Sequence, residues 1–376
     1  MRRFEARFVR TRGLALALAL VQVAMVPASA RAQAAATTAA LPQRLSDTEF
    51  WDLVSAISEP GGYFRIVDNF TSNEREIGTL FGMLRARGTT GDVYLGVGPE
   101  QNLTYIAAIR PRMAFIVDIR RQAVMQHLMF KAVFELAPDR ADFVSLLFSK
   151  ARPAGLDSAS RVQRIWEAFW QVPSDTAAYR ANKARITDHL TKTHGFRFTA
   201  EEQDRLQWVY ENFFRYGPQI ATRGYLTGGS ANGSTFADLT GYSTDASGEP
   251  RSFLSSEEHY RTLKSLHERN LIVPVSGDFG GPKAIRAIGT WLRQRGGVVR
   301  AFYVSNVEQY LYQDGKAQAF YANVATLPID ANSVFIRPYS LQRIGFSQSL
   351  CAMVPYLAAM KAGGMSASSD AQMCGR

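Results

Sequence analysis

The sequence predicts an α/β protein in which helices flank a mostly parallel sheet and a helical insertion interrupts it. Short apolar runs alternate with amphipathic stretches in two separate parts of the chain, 93–118 and 271–337. Each part opens with an apolar run, a glycine turn and a helix, the pattern of right-handed βαβ units. Between them, residues 158–216 carry aromatic residues at helical spacing, which predicts three inserted helices. We expect one domain over residues 45–350.

The first 32 residues have the pattern of a secretory signal peptide. Arginines precede an apolar run from Leu14 to Val26, and small residues follow it. The run is shorter than a membrane-spanning helix requires. We therefore expect export to the periplasm or the extracellular space, with residues 33–44 as a disordered linker.

The charge balance argues against a nucleic-acid partner. The formal net charge is +10, and removal of residues 1–32 takes away six arginines and one glutamate, which leaves +5. That balance, without a run of lysine or arginine, is not typical of nucleic-acid-binding proteins. No other segment is long and apolar enough to span a bilayer, so we expect a soluble mature protein.

The chain has two cysteines, Cys351 and Cys374, in a predicted C-terminal tail over 351–376. In an oxidising compartment the two thiols would pair and fix the tail, although two unpaired cysteines are equally consistent with the sequence. No histidine accompanies them, so we predict no metal site there.

Two helices are predicted before the first strand. Residues 45–58 have an amphipathic pattern, and 63–67 form a short extended segment. Residues 71–74, Thr-Ser-Asn-Glu, match a capping box that would open a second helix to about Arg87.

The first strand and the turn after it provide the candidate ligand site. Residues 93–95 are apolar and predict a buried strand. Gly96 and Gly98 follow, and glycines let the backbone bend tightly and approach a ligand closely. A helix over about 100–109 would point free N–H groups and its positive dipole end at the same place.

Residues 113–119 predict the parallel partner strand, with Asp118 near its carboxyl end. There, a carboxylate is placed to accept hydrogen bonds from both hydroxyls of a ribose. The whole segment 93–118 resembles the cofactor-binding core of the class I S-adenosylmethionine-dependent methyltransferases, in which a GxG turn lies under the cofactor and an acid ending the second strand binds its ribose.

This resemblance implies a Rossmann-like, methyltransferase-type fold with S-adenosylmethionine as cofactor. The implied cofactor-binding residues are Gly96, Gly98, Glu100 and Asp118. Two positions depart from the family pattern: Tyr94 stands where an acid is usual, and Glu100 stands where a third glycine is common. Glu100 would place a negative charge near the cofactor's carboxylate.

The chain also resembles a family of uncharacterised, exported bacterial proteins that carry a methyltransferase-like domain. That resemblance covers most of the mature chain and implies a fold without an activity.

A dinucleotide site is the alternative interpretation of the glycine turn. The GxGxxG fingerprint needs glycine at position 101, where this chain has Gln101, which disfavours NAD. Arg120 and Arg121, just after Asp118, would suit a 2′-phosphate, so an NADP-dependent oxidoreductase is a third hypothesis.

The segments after the second strand are mainly helical. We predict helices over 122–136 and from Pro138-Asp139 to Lys150. His127 lies in the first of these, where a single histidine is more often a core or surface residue than a catalytic one. Residues 227–250 form a long loop-like stretch, placed to close over a pocket.

The second part of the chain returns to strands. Apolar runs at 271–275, 298–304 and 334–337 predict three strands, and Pro282 suits the first turn of a helix to Arg295. Ligands of open α/β sheets bind beyond the carboxyl ends of the strands. The predicted strand ends carry Gly96, Gly98, Asp118, Asp278, Ser305, Asn306 and Glu308.

Asp278 is the candidate catalytic residue. This interpretation depends on the methyltransferase resemblance, since that family often has a catalytic or substrate-orienting polar residue after the fourth strand. No Gly-x-Ser-x-Gly elbow, Walker loop or His-Glu-x-x-His motif is present.

Export separates this protein from the cytoplasm, where S-adenosylmethionine is made. We therefore expect a methyltransferase-like fold that has lost catalysis and keeps a nucleoside-type pocket. The alternatives are an active methyltransferase and a surface interaction protein that binds a protein partner and no small molecule.

Overall fold

The computed structural model describes residues 40–66, 69–74, 77–87, 92–222, 224–225, 234–341, 345–364 and 373–374. The predicted signal peptide, residues 1–32, lies outside the described residues. No helix in the described part of the chain is long and apolar enough to cross a membrane.

The fold is α/β, as the sequence predicts. Eight strands are present in the described ranges: β1 Val93–Gly96, β2 Met113–Asp118, β3 Ile220–Ala221, β4 Gly224–Tyr225, β5 Ile272–Ser276, β6 Val299–Tyr303, β7 Val334–Leu341 and β8 Gly345–Ala352. Six of them form one sheet in the order β5-β2-β1-β6-β7-β8, and β3 pairs with β4.

The six-stranded sheet has the doubly wound order of a Rossmann-like fold. Strands β5, β2, β1, β6 and β7 are parallel, and β8 returns antiparallel to β7. The chain runs outward from β1 to β2 and β5, then crosses back to β6 on the other side of β1. The strand order therefore reverses between β1 and β6, where such sheets bind ligands.

Thirteen α-helices are present in the described ranges: α1 Asp47–Ile57, α2 Thr79–Ala86, α3 Gln101–Ile109, α4 Arg121–Leu136, α5 Arg140–Phe148, α6 Val162–Trp170, α7 Thr176–Asp188, α8 Ala200–Tyr216, α9 Glu257–Glu268, α10 Ala284–Arg293, α11 Val307–Gln313, α12 Ala317–Val324 and α13 Met353–Lys361. Short π-helical turns lie at His189–Thr193 and Asp238–Tyr242.

The sheet centre and the helix after β1 form the most buried part of the core. Every residue of β1 and β2 is buried, as is every residue of α3. Helix α3 packs against α2, α9 and β1, and these contacts hold it beside β1. The predicted insertion is confirmed as helices α6, α7 and α8, with α8 packed on α4.

The capping box predicted at 71–74 is wrong. Helix α2 begins at Thr79 with Gly78 as its N-cap, and no side chain caps it. Glu74 does not reach back to the backbone of Thr71; its own N–H donates to Ser72 Oγ at 3.0 Å, and its buried carboxylate joins a polar network. The motif therefore lies in an irregular segment before α2 and does not form the first turn of that helix.

The predicted linker and tail extend too far into the domain. Leu41 is buried, and its carbonyl accepts a hydrogen bond from Arg112 Nη2 at 2.9 Å, so residues 40–44 belong to the packed fold. At the other end, Cys351 lies in β8, and α13 follows it. The Cys351–Cys374 disulfide is present, and it joins β8 to the end of the described chain.

The predicted loop over 227–250 is confirmed for residues 243–250, which lie in no helix or strand, and is wrong for residues 236–242. Phe236 is fully buried against the rings of Phe148 and Trp166, and the π-helical turn Asp238–Tyr242 follows it. Burial of this aromatic ring stabilises the segment against the helical insertion. Residues 227–233 lie outside the described residues.

Candidate functional site

A cleft lies at the carboxyl ends of β1, β2, β5 and β6, where the strand order reverses. It encloses about 940 Å³ of space when its solvent-open part is included. The strand ends contribute Gly98, Asp118, Asp278, Tyr303, Ser305 and Asn306 to its lining, and the aromatic side chains of Phe64 and Tyr310 form part of its wall.

Gly98 lies at the surface of this cleft in a conformation that favours glycine. Its φ is +80°, and a Cβ at this position would have no atom within 4 Å. Its carbonyl accepts hydrogen bonds from His127 Nε2 at 2.9 Å and from Asn102 Nδ2 at 3.2 Å. The turn is therefore fixed from behind, and the space in front of Gly98 is open to a ligand.

His127 has the structural role that the sequence predicts. Its ring is buried, and burial lowers the pKa of this imidazole to about 4. At neutral pH the ring is therefore neutral, with its proton on Nε2 to donate to the Gly98 carbonyl.

Gly96 does not line the cleft, contrary to its predicted role in binding. A Cβ here would lie 1.9 Å from Asn102 Oδ1 and 2.8 Å from the Tyr94 hydroxyl. The hydroxyl of Tyr94 donates to Asn102 Oδ1 at 2.9 Å. Glycine is therefore required for packing within the protein, and Tyr94 orients the side chain that fixes the turn.

Glu100 is likewise not part of the cleft lining. Its side chain is buried, and its carboxyl oxygens accept hydrogen bonds from the Ser72 N–H at 3.1 and 3.2 Å. Burial raises the pKa of Glu100 to about 8, so the group is mostly protonated at neutral pH. The expected negative charge beside a cofactor is therefore absent at this position.

Asp118 lines the cleft, but Arg120 already occupies most of its carboxylate. Oδ1 accepts from the backbone N–H and the Nε of Arg120 at 2.9 and 3.0 Å, and Oδ2 accepts from Nη2 at 2.8 Å. A carboxylate has about four acceptor positions, so roughly one remains. Asp118 is thus placed to accept a hydrogen bond from one ribose hydroxyl. To accept from both hydroxyls, as the sequence predicts, it would need Arg120 to move.

Arg121, the second arginine of the NADP interpretation, does not face this cleft. Its guanidinium pairs with Glu202 of α8 at 2.6 Å. Because Arg120 is bound to Asp118 as well, both guanidinium groups already pair with a carboxylate. Neither is therefore placed to bind a 2′-phosphate through two parallel hydrogen bonds.

Asp278 lines the cleft at a different position in the sheet from the one expected. It follows β5, the third strand of the sheet and its edge, and its Oδ2 accepts from Lys316 Nζ at 2.6 Å. The fourth strand of the sheet, beside β1, is β6, which is followed by Ser305 and Asn306. The predicted location of Asp278 after the fourth strand is therefore wrong.

Glu308, the last of the predicted strand-end residues, is not part of the cleft lining. Its carboxylate accepts from Arg337 Nε at 2.6 Å and from the Tyr321 hydroxyl at 2.5 Å.

A buried carboxyl group that the sequence analysis missed lies beneath the cleft. Glu74 accepts hydrogen bonds from Gln101 Nε2 at 2.9 Å, from Ser305 Oγ at 2.7 Å and from Gln348 Nε2. Gln101 also contacts the hydroxyl of Tyr303. Burial raises the pKa of Glu74 to about 7, against the opposing effect of these hydrogen bonds.

This network connects a titratable group to the cleft surface. Gln101, Tyr303 and Ser305 line the cleft, and each contacts Glu74 or a partner of Glu74. The sequence offered little signal for it, because the Thr-Ser-Asn-Glu motif has a common alternative role as a helix cap.

Comparison with protein families finds a match to a domain of unknown function, DUF7790, over residues 69–213 and 235–362. A comparison with curated proteins finds no match. The two matched ranges contain well over half of the chain, including β1, β2, β5 and β6 with the cleft residues at their ends. The chain therefore belongs to the DUF7790 family.

Proposed function

We propose that this is an exported protein with a methyltransferase-like Rossmann fold, which binds a nucleoside-type ligand and no longer transfers a methyl group. The observation that carries the proposal is the joint position of Gly98 and Asp118. Both line one cleft at the reversal point of the sheet, at the ends of the first two strands.

The lining of the cleft suits the parts of a nucleoside. The open space at Gly98 admits a ligand close to the backbone, and the remaining acceptor position of Asp118 suits a ribose hydroxyl. The Phe64 ring packs edge-on against Tyr310 at 4.9 Å, which gives the wall an apolar surface for a base. S-adenosylmethionine is the ligand of this class that the sequence resemblance implies.

The paired carboxylates support loss of catalysis. A general base has to be free to accept a proton near neutral pH. Asp118 is bound by Arg120, and Asp278 by Lys316, so each would first have to give up a cationic partner.

The disulfide supports the export part of the proposal. Structural disulfides are typical of oxidising compartments and rare in the cytosol. Cys351 and Cys374 are bonded to each other, which fits a protein that matures outside the cytoplasm.

The test is calorimetric titration of the chain lacking residues 1–32 with S-adenosylmethionine, its demethylated product and NADP. We expect saturable binding of S-adenosylmethionine and of its demethylated product, and none of NADP. Gly98→Ala adds a methyl group to the open space and should weaken binding at least ~10-fold, equivalent to about 1.4 kcal/mol.

Gly248→Ala is the matched control for this experiment. Gly248 has a φ of +81°, close to that of Gly98, and a Cβ there also has no atom within 4 Å. Both substitutions impose the same left-handed strain, of about 1–2 kcal/mol, but Gly248 does not line the cleft. Equal effects of the two variants on binding would contradict the proposal.

An active methyltransferase is the second candidate, and the Glu74 network favours it. Ser305 Oγ lines the cleft and donates to Glu74 Oε1, so a substrate proton has a two-step route to a buried group with a pKa near 7. Methyl transfer to any acceptor that is lost in Glu74→Gln, with binding retained, would favour this candidate over ours.

A surface interaction protein without a small-molecule ligand is the remaining alternative. It predicts no nucleoside binding at millimolar concentration by either the wild-type protein or the Gly98→Ala variant.

A further inference from the structure

A second cluster of polar side chains lies away from the cleft, where the helical insertion meets α4. Glu135 of α4 lies between two histidines of the insertion, His189 and His194. The Nε2 atoms of the two rings are 2.7 and 2.6 Å from the same carboxylate oxygen, Glu135 Oε2. One potential ligand atom from each residue falls within 4.8 Å of the others.

A π-helical turn brings the two histidines together. The turn spans His189–Thr193, and the N–H of His194 donates to the carbonyl of His189 at 3.1 Å, an i→i+5 hydrogen bond. The wider turn places residues five apart on one face, and the two rings meet edge to face with centroids 4.8 Å apart. Single π turns are uncommon and are frequently found at functional sites.

Asp47 contacts His194 in the way that a carboxylate commonly contacts a metal-binding histidine, through the ring nitrogen that does not bind the metal. Asp47 Oδ1 lies 2.6 Å from His194 Nδ1, on the opposite side of the ring from Glu135. Such a carboxylate holds the proton on Nδ1 and leaves Nε2 free to bind a cation. The other oxygen of Glu135 accepts from Lys131 Nζ at 2.5 Å, so Oε2 is the oxygen that can bind a cation.

We propose that Glu135, His189 and His194 form a binding site for a divalent transition-metal cation of the zinc type. Two imidazoles and one carboxylate are a common set of protein ligands for zinc, with a fourth position left to water. The side chains are mostly shielded, at 7%, 18% and 11% exposed in that order, and His189 is the one most accessible to a cation from solvent.

The geometry needs a small expansion to admit the ion. Zinc ligands lie about 2.0–2.2 Å from the metal, so two ligand atoms of a tetrahedral site are roughly 3.3 Å apart. In the present cluster Glu135 Oε2 is only 2.7 and 2.6 Å from the Nε2 atoms of His189 and His194, so these atoms must move apart to bind the ion. The exchange balances when each ring ends as the neutral Nδ1–H tautomer: the Nε2 protons leave to solvent, His194 keeps the Nδ1 proton that it donates to Asp47, and His189 carries its one remaining proton on Nδ1. Lys131 stays on Oε1, and its positive charge reduces the affinity.

A bound ion would fix the insertion to the sheet domain. Both histidines follow α7, whereas Glu135 ends α4, so the metal would join segments 54 residues apart in sequence. A ligand that binds only the folded state increases the free energy of unfolding. The increase grows with the logarithm of the ratio between the ligand concentration and the dissociation constant.

The test uses untagged protein lacking residues 1–32, stripped with a chelator and titrated with zinc chloride. We expect one zinc per chain, a higher thermal midpoint with zinc, and the visible absorption bands of tetrahedral cobalt when cobalt(II) replaces zinc. His189→Gln should weaken zinc binding at least ~10-fold, and Asp47→Ala should do so by about tenfold, as for other outer-shell partners. Magnesium chloride should give no saturable binding, because imidazole nitrogen is a poor ligand for magnesium.

His259→Gln is the matched control, since His259 is a buried histidine of α9 outside this cluster. It should bind zinc as the wild type does. If His194→Gln fails to fold by circular dichroism, His189→Gln decides, because its ring is the more exposed of the two. Absence of saturable zinc binding in the wild type, or full retention in His189→Gln, would overturn the proposal.

Discussion

Removal of the Asp118 carboxylate should destabilise the protein strongly as well as disturb the cleft. In Asp118→Ala, the guanidinium of Arg120 loses its carboxylate partner while 8% of its side chain is exposed. Two of its other contacts, with the Ile66 carbonyl at 3.4 Å and with the Phe64 ring at 5.9 Å, are weak by comparison with the ion pair. The burial of the pair is what makes the change severe.

The magnitude follows from that burial. An exposed ion pair contributes about 0–1 kcal/mol, whereas loss of one partner from a buried pair costs roughly 3–5 kcal/mol. The Asp118–Arg120 side chains are 7% and 8% exposed, so the second range applies. We expect Asp118→Ala to reduce the free energy of unfolding by about 3 kcal/mol.

The assay is a double-mutant cycle with Asp118→Ala, Arg120→Ala and the double variant, each unfolded in urea and followed by circular dichroism. The double variant removes both charges of the pair, so its cost should fall below the sum of the single costs by about 1–3 kcal/mol. A cost below about 1 kcal/mol for Asp118→Ala, with additive effects in the double variant, would refute the reasoning.

Three further predictions concern stability, each measured by urea unfolding of the chain lacking residues 1–32. Burial raises the pKa of Glu100 from 4.5 to about 8, so the unfolded chain releases a proton that the folded chain keeps, and stability falls as pH rises between these values. Glu100→Gln should flatten this fall between pH 5 and 8, and parallel curves for variant and wild type would contradict it. Burial lowers the pKa of His267 from 6.5 to about 3, and neither ring nitrogen has a hydrogen-bond partner within the described residues. Below pH 6.5 the unfolded chain therefore binds a proton that the folded chain does not, and stability falls as the pH drops. His267→Leu should lessen that fall between pH 7 and 5; an unchanged slope would count against this cause. Replacement of Cys351 and Cys374 by serine should cost about 3 kcal/mol, because the bond closes a loop with a sequence separation of 23; a cost near zero would show that the unfolded chain is not constrained by it.

The sheet was predictable because its strands are apolar on both faces. Parallel strands covered by helices are typically continuous hydrophobic runs, as β1, β2 and β5 are, and β6 has this pattern apart from the partly buried Arg300. The same logic explains why β8 was missed. Its sequence Gly-Phe-Ser-Gln-Ser-Leu-Cys-Ala mixes polar and apolar residues, as an antiparallel edge strand does.

The candidate site was predictable only in its backbone. Gly98 and Asp118 reach the cleft because the positions of a turn and a strand end follow from the βαβ pattern. Side-chain partners depend on the three-dimensional arrangement, so the sequence did not predict the ion pair between Asp118 and Arg120. Glu74 meets Gln348, which is 274 residues away, and no local pattern encodes such a contact.

The central claim is that the cleft binds a nucleoside-type ligand, and calorimetric titration of the chain lacking residues 1–32 with S-adenosylmethionine tests it most directly. The proposal predicts saturable binding at one site per chain, weakened at least ~10-fold by Gly98→Ala and unchanged by Gly248→Ala. Absence of heat up to millimolar ligand, with a folded protein by circular dichroism, would contradict it.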